Sequence, residues 1–125
     1  MPIVSSNPIA PKKVFITGAT SGIGYSLSKK YLLEGWDVIG LGRNENKIIN
    51  LKNDYPNNFQ FIKIDISQFD QLKENLSLLF QKNKDIDTFI LNAGIYIPES
   101  FQDYSFSNAK KMFDVNVLSI YLVLD

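Results

Sequence analysis

Four short apolar runs, each followed by a stretch with helical periodicity, divide this sequence and leave few folds open to it. Lys13 to Thr17 reads as a first strand, because Val14, Phe15 and Ile16 are β-branched or aromatic and Pro11 and Gly18 bound the run. A turn leads into a helix where Ile23, Leu27 and Tyr31 recur at four-residue spacing as the core stripe, Lys29 and Lys30 lie off it, and Glu34-Gly35 marks the stop. Trp36 to Leu41 is the second strand, Glu45 to Lys52 a short helix, and Phe59 to Ile66 the third strand. Ser67, with Asp70 three residues on, reads as the N-cap of a third helix whose stripe is Phe69, Leu72, Leu76 and Phe80. The fourth strand runs from Asp87 to Asn92, and Ser105 caps a last helix that continues through Asn116 to the end. This alternation predicts a parallel sheet covered on both faces, a doubly wound α/β fold in three α/β/α layers. Right-handed crossovers favour strand order 3-2-1-4. The loops leaving the carboxyl ends of the first and fourth strands, Gly18 to Gly24 and Asn92 to Gly94, then border the ligand crevice.

The first of these loops reads Thr17-Gly18-Ala19-Thr20-Ser21-Gly22-Ile23-Gly24 and passes from a strand into a helix. Glycine there lets the chain turn tightly and lets backbone approach a ligand, and the helix N-terminus offers free N–H groups and a positive dipole end to a pyrophosphate. A glycine turn that merely reverses the chain is the alternative. No G-x-x-x-x-G-K-[ST] string is present, which disfavours a nucleotide-hydrolysing P-loop. The chain also lacks cysteine and histidine, which removes thiol nucleophiles, histidine bases and nearly every zinc site, so no metal is expected and any catalysis falls to Tyr, Lys, Ser, Asp or Glu. Thirteen basic residues balance thirteen acidic ones, so no net field gathers nucleic acid or an anionic membrane surface. No apolar run approaches the roughly 20 residues of a bilayer span. Residues 1–11 read as a flexible tail without the pattern of an export signal, which makes the cytoplasm the expected location.

With these landmarks in place the sequence resembles the short-chain dehydrogenase/reductase family, whose cofactor loop is T-G-x-x-x-G-x-G. The resemblance covers roughly residues 12 to 125 and implies a Rossmann-type dinucleotide-binding domain. Asp65-Ile66 follows the third strand where the family's adenine-contacting Asp stands, and Asn92-Ala93-Gly94 ends the fourth strand like the family's N-N-A-G. Leu91 departs from that motif, and as part of the apolar run Phe89-Ile90-Leu91 its simplest role is packing. Asn116, within Val115-Asn116-Val117, matches the asparagine of the family's catalytic set, which holds a backbone carbonyl and a water; a helix-surface asparagine is the alternative. The resemblance thus implies a cofactor site formed by Gly18, Ser21, Gly22, Ile23, Gly24, Asp65, Ile66, Asn92, Ala93 and Gly94, together with Arg43 discussed next.

Cofactor choice is read at the end of the second strand, Gly40-Leu41-Gly42-Arg43-Asn44, where an acid would grip an adenosine ribose diol. No acid is there. A guanidinium at Arg43 can pair with a 2′-phosphate that a carboxylate would repel, which favours NADP(H) over NAD(H). The alternative is a solvated Arg43 paired with Glu45. Asp65 similarly has two compatible readings, adenine contact and a cap shared with Ser67 at the start of the third helix.

The family's proton-transfer pair is Tyr-x-x-x-Lys. Tyr25 and Lys29 match it literally, but they lie on the first helix away from the Ile23/Leu27 stripe, where both face solvent, and before the point at which the family places the motif. The last residues, 117–125, are apolar on nearly every side, so this helix needs a second buried face, which the family supplies by subunit association; a homo-oligomer is expected. A stop after the fourth strand and its helix leaves about half of the family's fold, an exposed hydrophobic strand edge and no catalytic Ser, Tyr or Lys. Two functions therefore stand side by side. One is an NADP(H)-dependent oxidoreductase whose complete form moves hydride between nicotinamide and a small carbonyl or alcohol substrate, this stretch alone being inactive. The other is a non-catalytic dinucleotide-binding or assembly module.

Overall fold

The computed structural model describes residues 12–102 and 104–125, so the tail expected over 1–11 lies outside the described residues. Its strands are β1 (Lys13–Thr17), β2 (Asp37–Gly42), β3 (Phe59–Lys63) and β4 (Thr88–Leu91), all parallel, in the order β3-β2-β1-β4. Thr17 pairs with Leu41 on one side and with Leu91 on the other, so β1, β2 and β4 end together and release their loops at one edge.

Helices α1 (Gly22–Leu33) and α2 (Ile49–Asp54) cover one face. The other carries α3 (Phe69–Lys82) and the last helix, formed by α4 (Phe106–Phe113), a π-helical turn over Asp114–Leu118 and α5 (Ser119–Leu124). The central strand shows why its apolar run is unbroken. Val14 and Ile16 point into the α1/α2 core, and Phe15 points into the opposite core with Leu72, Leu76 and Leu79 of α3. Leu91 packs against that second core. On the free side of β4, Phe89 remains 45% exposed while its ring meets Phe15 and Phe80 at 5.5 and 5.8 Å.

Several elements differ from the sequence expectation. The buried stripe of α1 is Gly24, Ser28 and Leu32, one position beyond the expected one, and Ile23 is 71% exposed. Small residues decide this: Gly24 and Ser28 let the helix sit close to the end of β1, and a Cβ at Gly24 would overlap the Gly18 carbonyl oxygen. The buried Ser28 hydroxyl donates to the Gly24 carbonyl at 2.8 Å. The same rotation half-buries Tyr25 against the α1/α2 core, where solvent was expected, while Lys29 stays exposed. The second strand runs one residue later, from Asp37 to Gly42, and the second helix opens with a 3-10 turn over Glu45–Ile48. Strand β3 ends at Lys63 because the chain bends into a turn held by Asp65, though Ile64 N still donates to the Gly42 carbonyl at 2.8 Å. Ser67 does not cap α3. Gln68 takes that position without a side-chain bond, and Ser67 instead donates to Asp65. Ser105 does cap α4, accepting from Asn108 N at 3.1 Å. Among the described residues no helix is long and apolar enough to cross a membrane.

Candidate functional site

The loops leaving β1, β2, β3 and β4 border one cleft, open to solvent, at the carboxyl edge of the sheet. Gly18, Ser21, Arg43, Asp65, Ile66, Ala93 and Gly94 line it from their positions after the four strands. Gly22, Ile23, Gly24, Asn92 and Asn116 do not line it, and of these Gly24, Asn92 and Asn116 meet or bond the loops that do.

The support beneath the first loop is steric. A Cβ on Gly24 would also fall 2.7 Å from Asn92 Nδ2, so glycine alone lets α1, the first loop and the β4 loop meet. Two hydrogen bonds then tie the loops together: Asn92 Nδ2 donates to the Gly18 carbonyl at 3.3 Å, and Ala93 N donates to Thr17 Oγ1 at 3.0 Å. Thr17 is a buried participant that sequence reasoning left unassigned, although its place before Gly18 is a readable signal. At Gly22 the backbone has φ +54°, and nothing lies within 4 Å of the point a Cβ would occupy. Ser21 makes no side-chain cap, so the first-turn amides of the twelve-residue α1 keep donors available. A bare backbone corner with free N–H groups at a helix N-terminus fits a pyrophosphate.

The second wall consists of side chains. Arg43 is exposed at the end of β2, and Glu45 pairs with Lys52 at 2.8 Å, so among the described residues the Arg43–Glu45 pair is not formed. Asp65 accepts from Ser67 N at 3.0 Å and from Ser67 Oγ at 2.7 Å, both through Oδ1. Burial raises its pKa, but the Ser67 hydroxyl and amide, followed by the cations of Arg43 and Lys111, outweigh this and hold the carboxyl below its ordinary value. Asp65 is therefore both an ionised wall of the cleft and the lock of its own turn.

Asn116 lies in the π-helical turn, a register defect often found at functional positions. Its Oδ1 accepts from Ile95 N at 2.7 Å, and its Nδ2 donates to the Ile95 carbonyl at 2.8 Å. The last helix is thereby fastened to the loop that carries Ala93 and Gly94. Sequence reasoning missed Lys111 and Val115, which line the cleft from this helix. Their four-residue spacing places both on one helical face, a signal overshadowed by the asparagine motif. No cluster of His, Cys, Asp and Glu suited to a metal ion occurs among the described residues.

The sequence profile described as short chain dehydrogenase matches residues 12–125. Serine 3-dehydrogenase of Agrobacterium fabrum is 37% identical over 82 residues, which are 66% of this chain and 33% of that protein. The NADP-dependent 3-hydroxy acid dehydrogenase YdfG of Escherichia coli is 28% identical over 104 residues, covering 82% of this chain and 42% of the relative. A solved structure of a short-chain dehydrogenase from Streptomyces avermitilis superimposes with a TM-score of 0.85 at 21% identity, over 93% of this chain and 43% of that one. The chain thus spans between a third and a half of the length of these proteins.

Proposed function

The chain belongs to the short-chain dehydrogenase family, and on that premise we propose that residues 12–125 form the dinucleotide-binding part of an NADP(H)-dependent oxidoreductase. The complete protein exchanges hydride between the nicotinamide and a small carbonyl or alcohol substrate. In this reading the corner at Gly18, Ser21, Gly22, Ile23 and Gly24 holds the pyrophosphate, and Asp65 with Ile66 receives the adenine. Asn92, Ala93 and Gly94 form the floor between them. Asn116 fixes the Ile95 backbone, keeping that floor in place beside the reacting end. Tyr25 and Lys29 take no part, since they lie on α1 outside the cleft. The exposed Leu118, Tyr121 and Leu124 of the last helix suit association with a second copy.

Arg43 carries the choice of NADP(H). It lines the cleft at the end of β2, where no carboxylate is present to grip a ribose diol, and its guanidinium suits a phosphate there. The NADP-dependent relative from Escherichia coli supports this choice. Titration of wild type and Arg43→Asp with NADPH and NADH tests it. Wild type is expected to prefer NADPH, and the variant to lose on the order of tenfold to a hundredfold in NADPH affinity with little loss for NADH, the range of a charged hydrogen-bonded pair. An unchanged preference overturns the proposal.

A further inference from the structure

Arg43, Asp65 and Lys111 are the ionisable side chains lining the cleft. Arg43 and Asp65 alone would cancel, leaving that end of the site neutral toward an anionic ligand. Lys111 makes it net positive. Its position follows from the helix: Val115, four residues on, is buried and lines the same cleft, so α4 turns Lys111 toward the cleft from the wall opposite the glycine loop. The adjacent lysine differs. Lys110 is paired with Asp114 at 2.6 Å, whereas among the described residues the Lys111 ammonium makes no ion pair within 4.0 Å and no side-chain hydrogen bond. Lys111 also borders an adjoining polar groove together with Asp65, which keeps the two opposite charges neighbours along the rim, and its field contributes to the lowered pKa of Asp65.

We propose that Lys111 is a second determinant of dinucleotide choice, acting together with Arg43 by offsetting the charge of Asp65 and favouring a ligand with an additional phosphate on its adenosine ribose. The inference rests on the NADP(H) reading above. A screened, exposed cation acting on a phosphate dianion without direct contact shifts affinity by roughly three- to fivefold.

The test is titration of the protein, as its gene encodes it, with NADPH and NADH at low and high salt, for wild type, Lys111→Met and Lys111→Arg. Lys111→Met is expected to lower the NADPH-to-NADH preference about three- to fivefold at low salt and less at high salt, and Lys111→Arg to retain it. In an Asp65→Asn background the same methionine substitution is expected to lower the NADPH-to-NADH ratio by less, since the charge it offsets is gone, and an undiminished effect overturns the coupling to Asp65. Equal loss for both cofactors, or an unchanged ratio, overturns the role of Lys111 while leaving that of Arg43 intact. A wild type that binds the two cofactors alike removes the reading beneath both, and one that binds neither removes the dinucleotide site itself.

Discussion

The two walls of the cleft are built by opposite means. On the β1–α1 side, backbone meets backbone, and the space where side chains would stand is filled by neighbouring atoms, as at Gly24 against Gly18 and Asn92. On the α4 side, the contacts are made by side chains reaching from a helix: Lys111 toward the cleft and Asn116 to the Ile95 backbone. A close backbone contact such as that at Gly24 tolerates no added atom, whereas a side-chain wall loses one interaction at a time. The same distinction orders the expected effects of mutation.

The largest effect belongs to Gly24→Ala. Its methyl group would collide with the Gly18 carbonyl and the Asn92 amide, neither of which can move without breaking the link between the two loops. Overpacking against backbone predicts a loss of about 3 kcal/mol or more of stability, read from the urea midpoint. Gly22→Ala sharpens the comparison, because its methyl enters open space and only the positive φ opposes it, for about 1–2 kcal/mol. If the two substitutions prove equal, the steric account of the first wall fails.

That contrast also explains what could be read from the sequence. The elements and loop positions follow from local patterns, namely an apolar run, a turn glycine and a helical stripe, and the strand order follows from right-handed crossovers between them, so both are legible in the sequence. The face of α1 is not. Periodicity weighs large apolar residues, so it selected Ile23, whereas the packed face uses Gly24 and Ser28 because smallness, not hydrophobicity, allows close approach. Ser67 departs from its expected capping role for a related reason: Asp65 accepts its amide and hydroxyl locally and diverts it from the helix start. Lys111 is not legible because its place depends on four loops distant in sequence meeting beside one helix face.

On the second wall Asn116→Ala removes both bonds to Ile95. The site is exposed, so water replaces much of what is lost, and a destabilisation of about 1 kcal/mol is expected in chemical denaturation. Asn116→Asp separates acceptor from donor. It retains an oxygen for Ile95 N but sets a carboxylate against the Ile95 carbonyl, and it should destabilise at least as much as alanine. A loss within the few tenths of a kcal/mol typical of a surface change would mean that Asn116 does not hold this wall.

The smallest effect concerns Asp65 and pH. Its carboxyl is held below its ordinary value because, against the opposing influence of burial, Ser67 donates twice to it and Arg43 and Lys111 lie near. A group whose folded pKa is depressed stabilises the fold above its unfolded pKa, and that contribution disappears as pH falls through the folded value. Melting temperatures at low salt between about pH 6 and pH 3 should therefore fall more steeply for wild type than for Asp65→Asn, an isostere that can still accept from Ser67 through its amide oxygen. Because the group is only partly buried, the difference should stay below about 1 kcal/mol and shrink with added salt. Parallel pH profiles for the two proteins would show that ionisation of the carboxyl gains nothing from the Ser67 donors or from the cations around it, so that a neutral acceptor serves the turn equally well. The electrostatic wall would then be organised by hydrogen-bond geometry alone, as the glycine wall is organised by shape.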